Sequence, residues 1–213
     1  MFSGMMDQME SSAQPFRISP HKRPRHMWLQ VLLSIIGAVI LAFLLNLFVF
    51  QSYYVDGESM SPTLHTNDRL VISKVERSWS LMKRETYIPV RGQIVVIDGS
   101  ISPSTAARAP HLIKRVVGIP GDTLKFRNGS VTLYNAQYPE GTDLNSLFGL
   151  SLDATFVNQD QTVIVPDNSV FVMGDNRKEG GSYDSRAFGP VPTDLIVGRL
   201  WMRILPLNHE RVF

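Results

Sequence analysis

Residues 28–50 read WLQVLLSIIGAVILAFLLNLFVF, and no charged residue occurs between Arg25 and Asp56. These roughly 23 residues match the ~20 that an α-helix needs to cross the hydrocarbon of a bilayer. Gln30 and Asn46 fall near the ends, where polar groups cost least. Trp28 stands at one end and Tyr53 and Tyr54 at the other, as interfacial aromatics do. A buried core helix of this length would normally carry a polar face. A cleavable signal peptide would have a shorter apolar region and small residues at its exit, whereas this exit reads VFQSYYVDG. The pattern predicts an uncleaved anchor over residues 27–51.

Beyond the anchor, helical periodicity gives way to short apolar runs rich in β-branched residues. They are RLVISKV (69–75), QIVVIDG (93–99), HLIKRVVGI (111–119), TVIVP (162–166), SVFVMGD (169–175) and LIVGRLWMRIL (195–205). Gly, Pro, Asn or Asp bounds most of them, which predicts strands. In TLKFRNGSVTLYNA, Asn128-Gly129 separates two alternating runs and predicts a tight hairpin, because both turn positions need positive φ. The expected fold is mostly β: antiparallel sheet, preceded by one transmembrane helix. Residues 137–161 are weakly patterned and read as a loop-rich insertion or small cap. Residues 99–111 read as an exposed loop, and the basic, aromatic segment 77–87 as a loop near the bilayer or a local core contact.

Charge adds an orientation. Arg17, Lys22, Arg23 and Arg25 precede the span, and Asp56 and Glu58 follow it. Positive-inside logic then leaves a basic tail (1–26) in the cytoplasm and a catalytic or binding part (52–213) outside the cell membrane. The tail's basic end suits anionic lipid. The formal net charge of +2 gives no field that would favour nucleic acid. The chain has no cysteine, which excludes disulfide frameworks, thiol catalysis and cysteine-based metal sites. Its five histidines include no H-E-x-x-H pair, so no metal or other cofactor is implied.

The candidate chemistry begins at GESMSPTLHTNDRL (57–70), just past the anchor. About nine residues separate Phe50 from Ser59, so an extended chain keeps that hydroxyl within ~30 Å of the span. A serine needs a base to act as a nucleophile at neutral pH. His65 and His111 are candidates without an evident acid partner. A lysine made neutral by burial is another, since desolvation lowers an ammonium pKa. In HLIKRVVGIPGD, strand alternation puts Lys114 on one face with Leu112 and Val116, and Arg115 on the other with Ile113 and Val117. Alternation alone fits a surface lysine on an edge strand at least as well. Arg115 cannot serve as base, because a guanidinium stays charged.

Four stretches in order, GESMSPTL, NDRLVISK, KRVVGIPGD and GDNRKEGGSYDSRAFG, resemble the bacterial type I signal peptidases. The resemblance covers most of the chain after Tyr53, and it favours Lys114. It implies a two-part antiparallel β fold carrying a Ser–Lys dyad, with Ser59 as nucleophile and Lys114 as general base. The substrates would be secretory preproteins, cut after small residues in an A-x-A pattern. The resemblance also implies that Ser182 orients the lysine amine. Asp175, Arg177, Asp184 and Arg186 would form structural ion pairs, and Met60 would pack beside the dyad or shield it. Two features depart from the family pattern. Gly57 stands where some members have a serine that helps hold the oxyanion, and KEGG lengthens the spacing before SYDSR by about two residues. A self-cleaving repressor shares the dyad but carries a DNA-binding helical domain, for which this chain has an anchor instead. The remaining alternative is a membrane-anchored β-module that binds partners and cleaves nothing.

Overall fold

The computed structural model describes residues 27–101, 111–150, 152–157, 159–206 and 211–212. Helix α1 spans Met27–Phe48. Its stretch Met27–Leu45 is long and apolar enough to cross a membrane, and none of it is buried. The predicted anchor ran to residue 51, but the backbone leaves the helix earlier. Val49 N–H makes a bond to Leu45 O at 2.9 Å, and strand β1 (Phe50–Tyr54) follows. The FQSYY sequence is aromatic-rich and finds a ladder partner in β2 (Arg69–Ser73), with Phe50 opposite Ser73. Long-range pairing therefore ends the helix where hydropathy alone would continue it.

Most of the remaining strands fall where the apolar runs and the hairpin predict. The strands are β3 (Ile94–Asp98), β4 (His111–Gly118), β5 (Thr123–Arg127), β6 (Ser130–Tyr134), β7 (Thr142–Asp143), β8 (Gln161–Ile164), β9 (Ser169–Met173), β10 (Val191–Pro192), β11 (Ile196–Leu205) and β12 (Arg211–Val212). The two-residue strands β7, β10 and β12 lie outside the predicted runs. One antiparallel sheet runs β1-β2-β11-β3-β4-β9-β10, with β12 on β11. A second runs β7-β6-β5-β8. The hairpin between β5 and β6 turns at Asn128 (φ 50°) and Gly129 (φ 76°), both left-handed as the Asn-Gly pair requires.

Among the described residues three α-helices accompany the sheets: α2 (Val75–Lys83), α3 (Leu144–Leu147) and α4 (Ser185–Phe188). Two of them fall within expected loops. Residues 77–87 begin inside α2, and α3 and β7 lie within residues 137–161. Of the expected 99–111 loop, residues 102–110 lie outside the described residues.

The IVVI run of β3 explains why both faces of the first sheet are covered. Ile94 and Val96 pack with Met60, Leu64, Leu70, Ile72 and Leu200. Val95 and Ile97 pack on the opposite side with Val116, Val170, Val172 and Ile196. A strand buried on both sides needs apolar residues at every position, so the alternation disappears. A third cluster joins the sheets: Leu124, Phe126 and Leu133 meet Val117, Phe171 and Met173.

Asp122 ties the turn between β4 and β5 to its surroundings. Its buried carboxylate receives Arg91 in a two-pronged ion pair, the Ile119 N–H at 2.9 Å and Asn135 Nδ2 at 3.1 Å. Replacing Asp122 with Ala leaves the arginine and two donors without their acceptor. We expect a loss of about 3 kcal/mol of stability, read as a lower urea midpoint in detergent solution; an unchanged midpoint would contradict this role.

Candidate active site

Three chain segments meet at Ser59. The first is the loop between β1 and β2, closed at its base by Val55 N–H to Asp68 O (2.9 Å) and Asn67 N–H to Val55 O (3.0 Å). Met60 and Leu64 are almost wholly buried and fasten the loop to the core. Met60 is thus a packing anchor immediately beside a half-buried Ser59. Gly57 has φ +102°, where an L side chain is strained. Its N–H donates to Thr66 Oγ1 at 3.1 Å. That backbone conformation accounts for a glycine at the position where the resembled family sometimes carries serine.

The second segment is β4. Hydrogen-bonded between β3 and β9, it is an interior strand, not the edge that alternation allowed. Lys114 is 3% exposed. Its Nζ lies 2.8 Å from Ser59 Oγ and donates to the Ile113 carbonyl at 3.0 Å. Burial pushes the amine down to about 8, against the opposing pull of Asp184 and Asp175. Those carboxylates are themselves occupied. Asp175 is held by Arg115 Nε (2.8 Å) and Nη2 and receives the Thr63 hydroxyl. Asp184 is held by Arg186 Nε and Nη2, both at 2.8 Å. Each carboxylate is already paired, and its pull on the lysine is smaller than the effect of desolvation, which sets the direction of the shift.

The third segment runs from Gly174 to Arg186. Asn176 clamps the serine loop, donating its N–H to Ser59 O and its Nδ2 to Glu58 O, both at 3.1 Å. Gly174 passes directly beneath: a Cβ there would overlap both the Ser59 carbonyl and Ser182 Oγ. Asp184 accepts the Gly174 N–H at 2.9 Å and caps α4. Burial pushes this carboxyl up, but Arg186 and the Gly174 N–H outweigh burial and hold it below its ordinary value.

Two expected pairings resolve differently. Asp184 and Arg186 do form an ion pair. Asp175, however, pairs with Arg115 rather than Arg177. Arg177 is fully buried, and its Nε and Nη1 reach Gly174 O (2.9 Å) and Thr155 Oγ1 (3.1 Å), while Nη2 has no partner among the described residues. Burial lowers its pKa to about 10, which leaves it cationic at neutral pH. Ser182 sits beside the Ser59 backbone but makes no bond to Lys114. It helps hold the Asp184 carboxylate down, and its buried Oγ meets no partner at hydrogen-bond geometry among the described residues. His65 is exposed, and the His111 ring packs edge-on against Tyr53 with centroids 5.1 Å apart. Neither histidine bonds to Ser59. Sequence reasoning missed Arg115, Thr63 and Asn176 as supports. Alternation had placed Arg115 opposite Lys114, but the carboxylate it meets lies 60 residues away.

A buried amine against a serine hydroxyl, on antiparallel sheets behind an apolar helix, defines a candidate hydrolase site. Residues 28–205 match the family model described as signal peptidase, peptidase S26. A probable signal peptidase I-2 of Synechocystis is 35% identical over 86% of this chain and 76% of its own length. Signal peptidase I of Bacillus amyloliquefaciens is 35% identical over 84% of this chain and 88% of its own. Signal peptidase I T of Bacillus subtilis is 32% identical over 89% and 92%. The chain belongs to the signal peptidase I family, the S26 peptidases.

The buried amine has a consequence for stability. Its folded-state pKa is depressed from 10.5 to about 8. Between those values the unfolded chain holds a proton that the folded chain lacks, so stability rises with pH across this window. Below pH 8 the full cost remains, on the order of 3 kcal/mol. Lys114→Met should therefore stabilise the protein at pH 7 by that order and flatten its stability between pH 8 and 10.5. Denaturant titrations at several pH values measure this; a destabilised variant would contradict it.

Proposed function

We propose that the chain is a membrane-anchored serine endopeptidase that removes signal peptides from exported preproteins, with Ser59 as nucleophile and Lys114 as general base. The observation that carries the reading is the 2.8 Å approach of a buried amine to a hydroxyl. A module that only binds would gain nothing from burying a group that destabilises the fold.

The chemistry follows from this arrangement. The Nζ–H donated to the Ile113 carbonyl fixes the amine's orientation. Its lone pair then faces Ser59 Oγ and takes the hydroxyl proton as oxygen attacks the scissile carbonyl. The developing oxyanion needs N–H donors. The Ser59 N–H, which no described residue engages, supplies one. Lys114 next passes its proton to the departing amine, and the signal peptide stays bound to Ser59 as an ester. The same lysine, neutral again, activates the water that hydrolyses this ester. Arg115 and Arg186 act at a distance, occupying Asp175 and Asp184 so that the amine gives up its proton near pH 8 rather than near 10.5.

An extended substrate sends its first and third side chains before the cut to the same side. Small pockets there would select the A-x-A pattern, and strand addition would bring backbone affinity. With α1 spanning the cell membrane and the basic tail inside, the site works outside, next to the membrane. There a preprotein is still held by its own apolar segment, and sharing the bilayer raises the effective concentration of enzyme and substrate.

The test is incubation of the full chain in detergent with a preprotein carrying Ala at both positions, followed by mass spectrometry. The expected product ends at the second Ala. Ser59→Ala and Lys114→Met should each lower the rate on the order of 10⁴-fold, the lysine variant while remaining folded. Cleavage that survives Lys114→Met would overturn the assignment of the base.

A further inference from the structure

Helix α2 is built inside out. Val75, Trp79 and Met82 recur at the i, i+4, i+7 spacing of an apolar stripe. In a surface helix that stripe normally faces the core. Here the three side chains are 46%, 56% and 75% exposed, and no residue of the helix is buried. The helix is instead attached through polar groups. Glu76 is ion-paired with Arg199 on β11, and Arg77 Nη2 donates to the Asp194 carbonyl at 3.5 Å. Holding polar groups against the protein and presenting tryptophan and methionine outward is costly in water unless something apolar covers the stripe.

The chain itself indicates what lies opposite. Lys74, just before the helix, donates its N–H to the Val49 carbonyl at 2.8 Å. Val49 is the first residue after α1. The start of α2 is therefore fixed one hydrogen bond from the point where the chain leaves its apolar helix. Residues 74–85 also carry four cations (Lys74, Arg77, Lys83, Arg84) against two carboxylates (Glu76, Glu85), and Glu76 is already engaged. Lys83 Nζ sits over the Trp79 ring, 5.5 Å from its centroid. A cation beside an exposed aromatic suits the headgroup layer, where the ring enters the interface and the charge stays with lipid phosphate.

We propose that α2 is an interfacial helix that lays Val75, Trp79 and Met82 into an anionic bilayer surface, with Lys83 and Arg84 on the phosphates. Such a contact is separate from the spanning helix. It gives the β-sheet body a second attachment and restricts its rotation about the chain exit. It rests on the reading of α1 as a membrane anchor but not on the dyad chemistry.

The absence of cysteine makes a single-site probe straightforward. Met82→Cys in the full chain is labelled with an environment-sensitive fluorophore and reconstituted into phosphatidylcholine vesicles with and without phosphatidylglycerol. Gln137→Cys, exposed on the loop after β6, is the comparison. The expected result is blue-shifted emission from position 82, quenched by lipids spin-labelled near the headgroup and enhanced by phosphatidylglycerol. The probe at 137 stays aqueous and unquenched, and Lys83→Gln with Arg84→Gln removes the phosphatidylglycerol effect. An aqueous signal from position 82 in a protein that resists carbonate extraction overturns the proposal alone. A blue shift without lipid quenching does the same, since it means that protein covers the stripe. Carbonate extraction that strips the protein from the vesicles overturns the anchor reading and this proposal with it.

Discussion

An amine that folding has taken out of water is the constraint around which this molecule is arranged. Lys114 lies on an interior strand with 3% exposure, and its pKa falls to about 8. An ammonium in that position would be restored by any uncompensated carboxylate nearby, and two carboxylates are near. The fold deals with both by giving each its own guanidinium, Arg115 for Asp175 and Arg186 for Asp184. The ion pairs therefore matter less as stabilising contacts, since buried pairs often contribute little net stability, than as a means of keeping charge away from one nitrogen.

The same groups also set distances. Asp175 joins β4, through Arg115, to the serine loop, through Thr63. Asp184 holds the Gly174 backbone, and Gly174 lets the Ser59 carbonyl approach more closely than any side chain would permit. Arg177 reaches Thr155, whose N–H in turn donates to Gly129 O at 2.7 Å in the β5–β6 turn. The second sheet is thereby tied to the segment that clamps the serine. The family's charged motifs thus connect packing to site geometry, and under the proposed mechanism a variant there would lose activity by moving Ser59 or raising the Lys114 pKa.

Much of this was legible from local pattern. The strand runs, the Asn128-Gly129 hairpin and the apolar helix depend on neighbours in sequence, and alternation or hydropathy reports them directly. Ser59 and Lys114 came from motif order, since nothing local separates a buried lysine from an edge one. What stayed hidden depends on distant partners. Phe50 and Gln51 turned from anchor into strand because β2 was there to pair with them. Asp175 took Arg115, not the nearer Arg177. In sequence, helix α2 reads as a loop because three apolar positions at helical spacing over nine residues, the first of them shared with the strand-like run 69–75, are too few to establish a helical period.

The central claim is that folding lowers the Lys114 amine to a pKa of about 8, so that the neutral base appears as pH rises through that value, and NMR tests it most directly. Protein labelled with ¹³C at the lysine ε-carbon, with Lys114 identified by its absence from Lys114→Met, is titrated from about pH 6 to about pH 11. The account predicts that this one resonance changes with a midpoint near 8, and that kcat/KM for preprotein cleavage rises with the same midpoint. A midpoint at or above the 10.5 of an ordinary lysine, with cleavage already at its plateau below it, would contradict the account.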